Sequence, residues 1–217
     1  MKTNPPLYEQ YRPRTWGEVI GQDKTVKKIQ AMSKRGLAGR AYWITDASGT
    51  GKGCISRLLA LEIADAFNVA EVDASEATPV YFAKLEDHFC FYGFGKLPGK
   101  VIIINEAHGL RKDSIRQLLV FLERLPSHCA VIFCTTSEGQ GDFLEDHIDA
   151  NPLLSRCIRL DLARRDLAAA FAARAREIAV AEGLDGRGPE DYLKLVKRSA
   201  NNFRAVLQSI ESGEMLS

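Results

Sequence analysis

The stretch Asp46–Gly53, "DASGTGKG", lies between an apolar run, "AYWIT" (41–45), and an amphipathic pattern, "CISRLLALEIADAF" (54–67). A buried strand, a glycine-rich turn and a helix in that order let backbone N–H groups at the helix N-terminus cradle phosphates, while a lysine reaches the terminal ones. Gly49, Thr50, Gly51 and Lys52 form the turn, flanked by Ser48 and Gly53. The full pattern is Gly, four residues, Gly-Lys and then Ser or Thr. Here Asp46 stands at the first glycine and Gly53 at the hydroxyl position. A bare Gly-Thr-Gly-Lys has low specificity, and its place between strand and helix is what gives it meaning.

The same alternation continues downstream. "VAEVDAS" (69–75) reads as a second strand, Val80 to His88 as a helix and "FYGFGKLPGK" (91–100) as a glycine-rich loop. "VIIIN" (101–105) is a buried strand by composition, "DSIRQLLVFLERL" (113–125) a helix capped by Asp113, "HCAVIFCTT" (128–136) a fourth strand and "CIRLDL" (157–162) a last one. The acidic stretch Ser137 to Asn151 is expected to be a loop. Upstream, Pro5-Pro6 and Pro13 predict an extended arm over residues 1–21, and Asp23 a cap for a helix carrying Val26, Ile29 and Met32. Strands without clean period-two alternation, spaced by helices, predict an α/β fold with a parallel sheet covered on both faces. From Arg164 onward the pattern is helical only, which predicts a core over 1–162 and a small helical domain over 163–217.

Bulk properties narrow the classes. The 217 residues are 46% hydrophobic and 26% charged, an ordinary globular composition. No apolar run approaches the roughly 20 residues of a membrane helix, and no apolar leader opens the chain, so a cytoplasmic protein is expected. The five cysteines are scattered without a C-x-x-C pair, and the four histidines are isolated, so no metal site is predicted. A net charge of +1 gives no argument for nucleic-acid binding.

The second chemical signal is "VIIINEAHGL" (101–110). A buried strand ending in an acidic pair is where phosphoryl-transfer enzymes hold Mg²⁺ and orient the attacking water. Asn105 stands at the first acidic position, and Glu106 remains as a candidate general base.

With "YEQYRPRTWGEVIGQ" (8–22), "SGTGKG", "INEAH", "FCTT" and "LLSRC" (153–157) in this order, the chain resembles the clamp-loader branch of the AAA+ ATPases, the P-loop NTPases of the bacterial DNA polymerase III gamma/tau and delta-prime and replication factor C small-subunit type. The resemblance runs from about Leu7 to Gln208. It implies ATP as ligand, other clamp-loader-type subunits as partners in an oligomer, and a sliding clamp and primer-template DNA as further partners. It implies that Tyr11, Arg12, Pro13, Val19 and Ile20 line an adenine pocket and that Lys52 contacts the β and γ phosphates. Glu106 would be the Walker-B glutamate, Thr136 the sensor-1 residue with Thr135 as a substitute, and Arg204 the sensor-2 arginine of the lid. Arg156 in "LLSRC" would be the finger inserted into a neighbour's site, where such an arginine is worth several orders of magnitude in rate. Arg111, Lys112 and Arg116 would face DNA, or form an ordinary charged helix face.

The departures are informative. Gly53 and Asn105 both remove ligands of one Mg²⁺, which demands near-octahedral oxygen coordination, so Mg²⁺ binding is doubtful. Asp46 adds negative charge close to the phosphates. The reading is an ATP-binding subunit with impaired hydrolysis and an intact finger. An active ATPase with metal recruited by Asp46 or Glu106, and a nucleotide-free AAA+ scaffold, are the alternatives. Family members carry a helical collar after the lid, and this sequence stops at Ser217.

Overall fold

The computed structural model describes residues 4–46, 49–163 and 166–216. Five strands, β1 (Arg40–Asp46), β2 (Val69–Asp73), β3 (Lys100–Asn105), β4 (Cys129–Thr136) and β5 (Cys157–Asp161), form one sheet in the order β2-β3-β4-β1-β5. Every neighbouring pair is parallel. All five segments read as strands in the sequence are strands, and the sheet is the parallel one expected.

Side chains alternate across this sheet even where the sequence is uniformly apolar. Val101 and Ile103 of β3 join Tyr42, Ile44 and Ile132 in one cluster with Ile29 and with Ile55 and Leu59, from helices α2 (Asp23–Ser33) and α3 (Lys52–Leu61). Ile102 and Ile104 join Trp43, Val131 and Phe133 in the other, under α4 (Pro79–Phe89) and α5 (Lys112–Glu123). A strand buried on both faces has no polar side to display, which is why "VIIIN" carries no period-two signal. Each fully buried Ile or Leu contributes roughly 1.5–3 kcal/mol of transfer free energy.

Helix boundaries depart from the sequence reading in four places. Asp23 and Asp113 lie inside the first turns of α2 and α5, with Gln22 and Arg111 at the caps. Gln22 instead binds the chain after β5, its amide donating to the Ala163 carbonyl at 3.2 Å and accepting from Ala163 N at 2.6 Å. Helix α3 stops at Leu61, short of Phe67, because Ala64 turns to bridge Pro98. The proline-rich arm holds a one-turn helix, α1 (Leu7–Gln10): Pro6 lies at its cap, where a missing N–H costs nothing.

The fourth departure is the acidic stretch after β4. It folds as α6 (Ser137–Asp146), followed by α7 (Ala150–Ser155), rather than as a loop. The Thr136 hydroxyl caps α6 by accepting from Gly139 N at 3.1 Å. Phe143 is buried against Trp43, ring centroids 5.6 Å apart, and Trp43 Nε1 donates to Gln140 Oε1 at 2.9 Å. Gly139 is required by close approach, since a β-carbon there would overlap the His108 ring.

The remaining helices, α8 (Ala168–Ala181), α9 (Pro189–Arg198) and α10 (Phe203–Glu211), surround a third apolar cluster of their own. Leu7 of the arm is part of that cluster, with Tyr8, Tyr11 and Ile20 packed against it. No helix among the described residues is long and apolar enough to cross a membrane.

Candidate functional site: a glycine-loop cleft

Ligands of open parallel sheets bind beyond the carboxyl ends of the strands. The carboxyl ends of β2 and β3 open there into a cleft of about 390 Å³, beside the loop that follows β1. One side is the backbone of Gly49 to Cys54 with Lys52; another is the arm, with Tyr11, Arg12, Pro13, Val19 and Ile20; a third is Phe171, Arg174, Phe203, Arg204 and Leu207 from α8 and α10. Of the expected nucleotide residues, all the described ones meet here, together with Glu106. Ser48 lies outside the described residues.

The described part of the loop, Gly49 to Gly53, is a glycine turn opening onto the cleft. Gly51 adopts φ 109°, and no heavy atom stands within 4 Å of where its β-carbon would be, so its backbone is bare. Lys52 begins α3, and its Nζ donates to the Asp46 carbonyl at 3.0 Å, closing the loop on itself. Asp46 is 1% exposed and is not among the residues lining the cleft. The loop also touches α10, as Phe203 N donates to the Gly49 carbonyl at 3.2 Å.

The strand-end residues are held by polar contacts. Asn105 Nδ2 donates to Glu71 Oε1 at 2.8 Å, and Arg57 Nε donates to Glu71 Oε2 at 2.9 Å. Burial pushes the Glu71 carboxyl up, but the Asn105 and Arg57 hydrogen bonds outweigh it and hold it below the ordinary carboxylate range. Glu106 takes a left-handed backbone, φ 49°, and its Oε2 lies 3.6 Å from His108 Nδ1. That nitrogen is 3.0 Å from Thr135 Oγ1. Neither Thr135 nor Thr136 lines the cleft, and the Thr136 hydroxyl is engaged in capping α6.

Arg156 sits elsewhere. Its Nη2 meets Glu123 Oε1 at 2.6 Å and its Nη1 donates to the Pro152 carbonyl at 3.0 Å, away from the cleft of its own chain. Arg111, Lys112 and Arg116 are exposed at the start of α5, with Arg116 paired to Asp149 at 3.2 Å.

Sequence reasoning missed Glu71, Asp73, Phe171 and Arg174. A signal for Arg174 existed: it lies three residues after Phe171 on the stripe that also carries buried Ala175 and Ile178, where an arginine is out of place. Glu71 had none, because its neighbour Asn105 is set by strand order, with β2 and β3 paired through Asp73↔Asn105.

The residues fit a nucleotide better than they fit a divalent metal. The glycine backbone and lysine suit phosphates, and the arm and the Phe171–Phe203 pair, ring centroids 4.9 Å apart, offer an apolar lining. At the metal positions, Gly53 has no side chain and Asn105 offers a neutral amide already donating to Glu71. Among the described residues no group of three or more His, Cys, Asp or Glu is placed to hold a metal ion.

A scan of known protein families returns no match. Among curated proteins, the chain is 27% identical over 218 residues to the DNA polymerase III tau subunit of Bacillus subtilis, covering 90% of this chain and 37% of that protein. It is 30% identical over 179 residues to the gamma subunit of Buchnera aphidicola subsp. Baizongia pistaciae, covering 72% and 46%. It is 25% identical over 183 residues to the tau subunit of Escherichia coli, covering 74% and 27%. The chain thus spans less than half the length of these relatives. Among solved structures, the RuvB Holliday junction branch migration motor of Thermotoga maritima superposes with a TM-score of 0.71 at 20% identity, over 93% of this chain and 64% of that one. This second likeness concerns the fold. In sequence and in fold together, the chain is an AAA+ protein of the clamp-loader branch.

Proposed function

We propose that this chain is a clamp-loader-type subunit for DNA replication that binds ATP in the glycine-loop cleft, hydrolyses it poorly and supplies Arg156 to the site of a neighbouring subunit. Residues 1–162 act as the nucleotide-binding core and 163–217 as its lid. Lys52 and Arg204 engage phosphates, Tyr11, Arg12, Pro13, Val19 and Ile20 surround the base, and Glu106 holds the hydrolytic position, while Thr136, outside the cleft with its hydroxyl capping α6, is left without one. The observation that carries the reading is the pairing of Asn105 with Glu71 beside the Gly49–Lys52 turn. The turn suits binding, while the metal side has lost the charge that neutralises the transferred phosphoryl group.

Partners follow from the relatives, which are DNA polymerase III subunits. Other subunits of this type are the partners proposed, with a clamp and primer-template DNA beyond them. Titration calorimetry with ATP, with and without Mg²⁺, on the wild type and Lys52→Ala tests the reading. Binding that requires Lys52 and is indifferent to Mg²⁺ supports it; no binding in either condition overturns it. A metal-dependent ATPase, with the ion recruited by Glu106 at the cleft, is the competing reading, and strongly Mg²⁺-dependent binding would decide for it.

A further inference from the structure

We propose that Arg174 is a second guanidinium ligand, beside Arg204, for the terminal phosphates of a nucleotide in this cleft, an inference that rests on the nucleotide-binding reading above. The two arginines come from different helices and meet on one wall. Phe171 lies one turn before Arg174 on α8 and packs on Phe203, the residue before Arg204 on α10. That contact sets the two helices side by side, and both arginines line the cleft.

Each arginine rests on a tyrosine of the arm. The Arg204 guanidinium lies over the Tyr8 ring at 5.4 Å and that of Arg174 over the Tyr11 ring at 5.9 Å. Tyr11 is itself anchored, its hydroxyl donating to Glu182 Oε1 at 2.6 Å, where Gln10 Nε2 also donates at 2.8 Å. Among the described residues Arg174 pairs with Glu177, one turn along the same helix at 2.9 Å, whose side chain is 64% exposed. A pair so open to solvent and a cation–π contact at that distance are both weak, so little is lost when the guanidinium turns to a phosphate. Bidentate, charge-assisted bonds to phosphate oxygens are stronger than either.

Of the other cations near the cleft, Arg57 is held to Glu71 at 2.8 Å, and Arg12, paired with Glu9 at 2.7 Å, lies with the arm residues assigned to the base. Gly53 and Asn105 bring neither hydroxyl nor carboxylate to a metal, so a polyphosphate entering the cleft draws its counter-charge from Lys52 and from the arginines that line it, two of them on the α8–α10 wall. The arrangement therefore favours a triphosphate over shorter phosphate chains without a divalent ion.

The test is calorimetric binding of ATP, AMP and adenosine in EDTA to the wild type, Arg174→Ala and Arg174→Lys, with circular dichroism confirming that each variant is folded. The expected result is a loss of ATP affinity of tenfold or more for Arg174→Ala, an intermediate loss for Arg174→Lys, and unchanged AMP and adenosine binding. An Arg174→Ala protein that binds ATP as the wild type does overturns this inference and leaves the nucleotide reading standing. An equal loss for all three ligands also overturns it, assigning Arg174 to the base pocket. A wild type that binds no ATP, with or without Mg²⁺, overturns the nucleotide reading and this inference with it.

Discussion

Gly49 of the loop lies against Asn202 at the start of α10, so closely that a β-carbon on residue 49 would overlap the Asn202 side-chain amide. Gly49 has φ 77°, a left-handed conformation that an L side chain rarely adopts, and its carbonyl accepts from Phe203 N. Asn202 in turn caps α10, its Oδ1 accepting from Ala205 N at 3.1 Å. One glycine therefore serves the loop and the helix together.

Gly49→Ala should destabilise the protein by about 1–3 kcal/mol through backbone strain alone, with the overlap adding to it. For a chain of this size each kcal/mol lowers Tm by roughly 2–4 °C. Asn202→Ala should cost about 0.5–2 kcal/mol as a lost cap. If the two sites touch as described, the double variant loses less than the sum, and strictly additive melting shifts would contradict the contact.

Phe143→Ala should cost roughly 3–5 kcal/mol, as expected for a buried phenylalanine. Phe143 is the apolar anchor of α6 and lies beside Trp43. Denaturant titration followed by tryptophan fluorescence reads both the stability and the Trp43 environment. A loss below about 1 kcal/mol would mean that α6 is not anchored there.

Glu71 predicts an acid-side effect. Its folded-state pKa lies below its unfolded value, so the Asn105 and Arg57 contacts contribute fully above the ordinary carboxylate range, about 4.3, and are lost as pH falls through the depressed folded value. Glu71→Gln should therefore lower Tm at pH 7 to 8, where the contacts contribute fully, and flatten the acid limb, the two proteins converging as pH falls. An acid limb identical to the wild type would remove Glu71 from the stability of the strand ends.

Arg156→Ala separates stability from assembly. The Glu123 pair is solvent-exposed, so its loss should cost at most about 1 kcal/mol. Stimulation of a partner subunit's ATPase, read in a mixed assembly, should fall by several orders of magnitude if this is the arginine supplied in trans. Unchanged stimulation would withdraw that role.

The strands were legible because burial on both sheet faces demands uninterrupted runs such as Val101–Ile104, and the helices after Arg164 because their apolar stripes recur at helical spacing. Helix α6 was not, because Gly139 and Gly141 argue for a loop when the reason for Gly139, the His108 ring, is distant in sequence. The cleft was legible wherever a residue sat on a linear motif, as Lys52, Glu106 and Arg204 do. Glu71 was not, since its place in the cleft depends on which strand lies beside β3, a property of the fold absent from any window of sequence; Arg174 left only the trace of a charge on an apolar stripe, and that this stripe faces the loop is again set by the fold.

Leu7 is part of the apolar cluster built by α8, α9 and α10, although about 160 residues of chain separate them. During synthesis the arm emerges well before its packing partners exist. The sheet can close while the arm waits, but the helical cluster is incomplete until both segments meet. Contacts so remote in sequence slow folding, since a large loop must close before they give any return. Docking of the arm should accordingly be the late event in folding, and the arm the first part exposed when the cluster loosens.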